Sequence, residues 1–389
     1  MKKLVFLLIA LCIALVSCGA EPTSQYAYRP PQDAGDGLAV GILEEVNIDS
    51  APIEEAVSRI LRGKHGEVHS MLIAKDNQLV LEEYFPGHDY QWDAPGHHGR
   101  LVTWDRDETH IVMSAGKSVT SACVGLAIDH GFIESVHQSI FDYLPEYQRY
   151  RSDGRDKITI EHLLTMTSGL EWKEWGASNT DLESDLFKLW VACEDQVACV
   201  LEKPLIHEPG TTFNYSGGGM TVLGEIVKNA TNMDMEAFCG QYLFEPLGAG
   251  PIEWRRFDSG LISTSGEQQM TPRDMVKFGL LYLNEGVRNG RQIVPKAWVE
   301  KSATPYAGNQ GIKVPGEDAG RVGYSYSWWT KQHSDSGRRL NTFWANGWGG
   351  QKIVVIPELD TVVVFTGANY TSKLTNWRML EKYVFPAIR

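Results

Sequence analysis

The sequence predicts an α+β fold in which strands from both chain ends form one antiparallel sheet, flanked by helices, with a mostly helical region inserted between them. Three observations carry this. SMLIAKDNQLVLEEYF (70–85) reads as two strands around a Lys75-Asp76-Asn77 turn. Four more strand-like runs, at 323–331, 341–347, 351–357 and 360–369, follow one another like neighbouring antiparallel strands. Between the two sets lie helix-length segments at 160–166, 182–193, 221–228 and 271–283, separated by loops rich in Gly and Pro. Strands outside and helices inside give an α/β domain from 48–134 with 303–389, and a mostly helical domain over 135–302. With 389 residues, 43% of them hydrophobic, the chain can bury a large core.

Taken in order, the elements begin with MKKLVFLLIALCIALVSCG: two lysines, an apolar run too short to span a bilayer comfortably, then Leu15-Val16-Ser17-Cys18. This predicts a lipoprotein signal peptide over 1–17, cleaved before Cys18. Lipidation of Cys18 would anchor the protein to a membrane in the bacterial cell envelope, facing the periplasm or on the outer membrane. Residues 18–47, rich in Pro, Gly, Ala and Asp without periodicity, read as the tether. An amphipathic helix is expected over 48–62 and a closing helix over 376–385.

The formal net charge of −13 becomes two units more negative once Lys2 and Lys3 leave with the signal, which argues against nucleic acid as a partner. Of the four remaining cysteines, Cys123 falls on a presumed buried helix and reads as a small hydrophobe, and Cys239 has no evident partner. Cys193 and Cys199 flank a turn that could bring them within bridging distance, which leaves that bridge open. No CxxC or Cys/His metal spacing occurs. The loop HDYQWDAPGHHGR holds His88, His97 and His98, but no acidic residue follows at helical spacing, so it reads as a solvated loop. Neither metal nor cofactor is expected.

HIVMSAGKSVTSACVGLAIDHG (110–131) carries the chemistry. Val119, Ala122, Cys123, Leu126 and Ala127 mark one face of a helix that Gly131 would end. Residues three apart are neighbours there, so the Lys117 ammonium can reach back to the Ser114 hydroxyl. A serine nucleophile needs a base within hydrogen-bond reach, and lysine qualifies only when burial or its neighbours lower its pKa. A tyrosine can share the proton. PGTTFNYSGGGMTVLGEIV (209–227) places Tyr215 just before a Gly-rich turn and a helix. An oxyanion hole needs backbone N–H groups: Ser114 supplies one, and the small residues of WANGWGGQ (344–351) suggest Trp348 for the second.

Together these stretches resemble the serine β-lactamase-like hydrolases of class C type, which include penicillin-binding DD-peptidases, esterases and 6-aminohexanoate-dimer hydrolases. The resemblance extends through ITIEHLLTMTSGL (158–170), MTPRDMVKFGLLYL (270–283) and GGQKIVVIPELDTVVV (349–364). It implies a β-lactamase/transpeptidase-like fold, with Ser114, Lys117 and Tyr215 catalytic.

Two departures stand out. Gly217 occupies the position of the asparagine in the family's Tyr-x-Asn motif, and Ala345-Asn346-Gly347 replaces Lys-Thr-Gly or His-Thr-Gly. An alanine there removes a charge-assisted contact to the carboxylate of penicillins and peptide C-termini. The GWGGQ form resembles the 6-aminohexanoate-dimer hydrolase and esterase branch instead. The expected substrate pocket includes Gly217, Asn346, Gly347 and Trp344, with Trp328, Trp329 and Trp348 as further wall candidates and core packing expected for at least two of these tryptophans.

The expectation is thus a serine hydrolase cleaving an ester or amide of a small molecule or peptide through a Ser114 acyl-enzyme. Whether Lys117 or Tyr215 accepts the proton is left open, as is the oligomeric state. A DD-peptidase or class C-type β-lactamase is the alternative within the same mechanism, and a non-catalytic peptide-binding lipoprotein the alternative outside it.

Overall fold

The computed structural model describes residues 26–176, 182–335 and 337–389. The leader and Cys18 lie outside them. A nine-stranded sheet runs in the order Ala39–Val40, Gln78–Tyr84, Val68–Lys75, Thr361–Gly367, Gln351–Ile356, Arg338–Gly347, Trp328–Asp335, Arg321–Ser325, Ile312–Lys313. The two chain ends meet where Val68–Lys75 pairs antiparallel with Thr361–Gly367, Ile73 opposite Val363. Every residue of both strands is buried. Continuous apolar runs such as VVVF suit strands covered on both faces, whereas alternation would mark a half-exposed sheet. Among the described residues, only the Ala39–Val40 edge is parallel to its neighbour.

The helix Ser50–Leu61 starts where the Asp49 side chain accepts from the Ala51 N–H. It buries Ile53, Ala56, Val57 and Ile60 against the closing helical run, Asn376 to Ala387, which carries a π turn at Leu380–Val384. The helix Pro272–Leu283 begins with a Thr271 cap and Pro at its first position, and lies on the strands Val68–Lys75, Gln351–Ile356 and Thr361–Gly367. It thus belongs to the sheet layers, although the sequence placed it in the helical insertion.

Three other sequence expectations change. The expected tether is packed chain from Tyr26 onward: Leu38, Leu43 and Val46 are buried, the Tyr28 hydroxyl donates to the Val80 carbonyl at 2.8 Å, and Arg273 forms a two-pronged pair with Asp36. Low hydrophobic content hid a segment that needs only three apolar anchors. The run 323–331 is two strands, because Tyr326 and Ser327 both take positive φ and turn the chain into a hairpin. No Gly, Asn or Pro marked that turn. Finally, Cys123 and Cys239 form a disulfide, with Cα atoms 5.7 Å apart, that ties the Ser114-bearing helix to the Met235–Cys239 helix. Cysteines 116 residues apart give no local signal. Cys193 and Cys199 are also bridged.

Candidate active site

The helix that follows Ser114, Gly116–Asp129, is buried from Gly116 to Ala127 on every side. The sequence showed one apolar face. Its polar residues point into packed protein and are satisfied there: Ser118 donates to the Ser327 carbonyl at 2.7 Å and Thr120 to the Thr264 carbonyl at 2.9 Å. Such a helix is a rigid platform, and Ser114 precedes it in a short 3₁₀ turn, Met113–Ala115. In the run Ile111–Ala127 only Ser114 keeps partial solvent access.

A small three-stranded sheet fixes the turn, with His110–Ile111 paired to Gln268–Met270 and that to Glu253–Trp254. Met113 takes φ of +49°, a sparsely populated region for a residue with a long side chain, and so swings Ser114 out of line with the strand before it. The segment from Ser265 to Glu267 lies against this bend. Gly266, at φ +140°, allows the approach: a Cβ there would fall 2.3 Å from the Met113 oxygen and 3.0 Å from the Ser114 nitrogen.

Lys117 Nζ lies 2.9 Å from Ser114 Oγ and donates to the Ser265 carbonyl at 2.6 Å. The lysine is 1% exposed. Burial lowers its pKa, against the opposing pull of Glu174 and Glu267. Tyr215 sits with its ring centroid 4.9 Å from Lys117 Nζ. Burial, then the Glu174 charge, raises the Tyr215 pKa, while a hydrogen bond with Ser114 opposes them. The three residues singled out in the sequence therefore share one cluster.

The cleft at Ser114 has a volume of about 360 Å³. One wall is aromatic: Trp175, Tyr215 and Trp329 lie with their planes within 23° of one another, Trp175 and Tyr215 5.0 Å apart by centroids. Trp348 and Tyr370, edge to face at 4.9 Å, stand on another side. Asn346 lines the floor. Trp344 does not belong to the cleft. It shares a strand face with Asn346, two residues on, but is 2% exposed there because Trp377 of the closing helix packs over it. Trp328 is likewise core, against Tyr282 and Phe278. Gly347 backs onto the Val112 carbonyl and is not among the lining residues, nor is Gly217.

The two departures from the motif pattern have structural counterparts that the sequence did not reveal. The Gly217 N–H donates to Glu174 Oε2 at 2.6 Å, and a Cβ at 217 would lie 2.8 Å from Leu186 and 3.2 Å from that oxygen. A carboxylate from the 171–176 loop thus occupies the space around the missing asparagine. Opposite Asn346, across the strand pair, stands Lys352. Its ammonium is buried, 2.7 Å from Glu317 Oε2 and bonded to Asn346 Oδ1, while Asn346 Nδ2 donates to Glu317 Oε1 at 2.9 Å. A lysine does reach this floor, from the neighbouring strand, but its charge is spent on Glu317.

Fold and cluster define a serine-hydrolase scaffold of the SxxK type, and the chain belongs to the beta-lactamase family, whose model matches residues 57–378. That family comprises serine hydrolases, with esterases, amidases and penicillin-binding-protein-like members. The chain is 25% identical over 280 residues to the 6-aminohexanoate-dimer hydrolase of Paenarthrobacter ureafaciens, covering 70% of this chain and 67% of the relative. Its fold is similar to that of a family VIII carboxylesterase, with TM-score 0.64 and 16% identity over 89% of this chain and 98% of that one. It is also similar to a penicillin-binding protein homologue from Caulobacter crescentus, with TM-score 0.66 and 14% identity over 89% and 99%.

Proposed function

We propose that the protein is a lipid-anchored serine hydrolase of the bacterial envelope that cleaves an ester or amide through an acyl-enzyme on Ser114. The observation that carries this is the contact of a fully buried Lys117 with Ser114, since a lysine kept from water is driven toward the neutral amine that can act as a base. Lys117 takes the Ser114 proton as Oγ attacks the carbonyl carbon. The oxyanion is received by the backbone N–H groups of Ser114 and Trp348. Tyr215, whose raised pKa keeps its proton on, acts as a relay: its hydroxyl gives its proton to the leaving alcohol or amine as it takes up the one held by Lys117, and water then releases the acyl group.

Charge favours a substrate without a carboxylate near the scissile bond. Among the described residues, the cleft lining includes Glu174 and Glu267, and the two lysines beside it are already engaged, Lys352 by Glu317 and Lys117 by Ser114 and the Ser265 carbonyl. That supports the carboxylesterase or amidase reading over a DD-peptidase or β-lactamase, both of which must hold an anionic substrate group. Two disulfides among the described residues support an oxidising compartment, in keeping with export and a Cys18 anchor.

The test is labelling with a fluorophosphonate probe, followed by turnover of short-chain p-nitrophenyl esters and of nitrocefin. The reading expects labelling of wild type and none of Ser114→Ala, with ester turnover outpacing nitrocefin. A folded Ser114→Ala variant that still labels would overturn the nucleophile. Nitrocefin turnover equal to ester turnover would overturn the substrate class. For the anchor, Cys18→Ala should release protein that otherwise sediments with membranes.

A further inference from the structure

The loop that the sequence left as solvated is an antiparallel hairpin, Gly87–Tyr90 with His98–Val102, folded over Glu67. His88 Nδ1 lies 2.8 Å from Glu67 Oε1, and His98 Nε2 lies 3.4 Å from Oε2. The two imidazoles are stacked, centroids 4.9 Å apart and planes within 3°. One donor atom from each of the three residues falls within 4.8 Å of the others. All three side chains keep partial solvent access, so a small ion could enter.

A plain ion pair would use one histidine; here a third imidazole is turned to the same carboxylate. His69 is 2% exposed, neither of its ring nitrogens has a hydrogen-bond partner, and Nε2 faces Glu67 Oε1 from 3.8 Å. An imidazole buried without partners is costly, and it gains most if the carboxylate in front of it is fixed. Position 87 keeps the space open. A Cβ on Gly87 would lie 2.4 Å from the His69 ring and 3.0 Å from Glu67 Oε1.

We propose that Glu67, His88 and His98 form a binding site for a divalent cation of the Zn²⁺ class, with the buried His69 ring packed behind the carboxylate and water completing the coordination. Two imidazole nitrogens and one carboxylate oxygen are the donor set that late first-row cations prefer over Mg²⁺ or Ca²⁺. Bonds of ~2.1 Å place tetrahedral ligands ~3.4 Å apart; His88 Nδ1, now 2.8 Å from Glu67 Oε1, moves outward and the wider pairs, all within 4.8 Å, close in, which half-exposed side chains on a hairpin allow. His98 then gives up its 3.0 Å contact with the Ala368 carbonyl. The ion is structural: it clamps the hairpin beside the 368–370 segment, whose Asn369 and Tyr370 line the cleft. It takes no part in the acyl transfer.

The test titrates the metal-stripped full chain with Zn²⁺ against a chromophoric chelator, and with Co²⁺ read by its visible absorption. One ion per chain is expected, with the intense visible bands of low-coordinate Co²⁺ and a higher melting temperature on loading. His88→Ala, His98→Ala and Glu67→Gln should each weaken binding by at least ~10-fold. His137→Ala, at the separate Glu161 pair, should change nothing. A wild type that takes up no Zn²⁺ overturns the proposal. So does a His88→Ala/His98→Ala double variant with native near-UV circular dichroism that binds as wild type does.

Discussion

Lys117 Nζ reaches Ser114 Oγ at 2.9 Å while donating to the Ser265 carbonyl at 2.6 Å, so one bond positions the amine for the other. An amine that donates to a carbonyl turns its lone pair elsewhere once it is neutral, and the hydroxyl of Ser114 is the adjacent partner. Lys117→Ala and Tyr215→Phe should each lower kcat by ~10²- to 10⁴-fold, and the double variant should be little worse than the poorer single one because the two act on one proton path. Single-turnover kinetics on variants with matched melting temperatures decides this. Multiplying losses would mean independent roles.

The direction of the Lys117 shift sets a pH dependence. With its folded pKa below the unfolded value, the neutral amine accumulates as pH rises, so kcat/KM should climb along one limb that Tyr215→Phe retains and Lys117→Ala loses. Stability follows the same sign. Between the folded pKa and the unfolded value of about 10.4, the unfolded chain binds more protons, so wild type should gain stability with pH relative to Lys117→Met. Parallel denaturation curves across that window would count against a lowered Lys117.

Restoring the family's asparagine should fail. In Gly217→Asn the new side chain meets Leu186 and the Glu174 oxygen, and overpacking of this kind costs about 1–3 kcal/mol. Chemical denaturation should register that loss, and nitrocefin turnover should not rise. Gly217→Asn paired with Glu174→Ala, which vacates the space, should recover part of the stability.

The Lys352–Glu317 pair beneath Asn346 is buried, 1% and 6% exposed at the side chains. Removing one charge strands the other, at about 3–5 kcal/mol. Lys352→Met should therefore destabilise strongly and raise KM through a loosened Asn346, whereas Lys352→Met/Glu317→Leu should regain most of the stability. Equal melting temperatures in wild type and both variants would show that water reaches the pair.

Loss of the Cys123–Cys239 bridge should cost about 2–5 kcal/mol. Cys239→Ser compared with wild type under oxidising and reducing conditions tests it: the gap should be present in the first and absent in the second.

Local patterns were legible. The Ser114-x-x-Lys117 spacing, Tyr215 before its glycines, and the strands 70–85, 351–357 and 360–369 all depend on neighbours in sequence, and each stands where the pattern placed it. What escaped depends on distant pairings. Glu174 enters the site from a loop 43 residues before its partner Gly217. Lys352 acts through a cross-strand register, and Glu67 meets His88 only because a hairpin folds back. Trp344 looked like a pocket residue and does share a strand face with Asn346, but Trp377, from the far end of the chain, covers it.

The seam between Val68–Lys75 and Thr361–Gly367 governs how this molecule can come into being. Nearly three hundred residues must be present before the central hydrogen bonds can form, which gives the fold a high contact order and a slow search. Until the last strand arrives, Val68–Lys75 is an apolar edge open to any extended chain. A growing polypeptide thus has no partial version of this sheet centre to rely on, and its order comes late and all at once. That timing makes a chain cut short before Thr361 a candidate for aggregation.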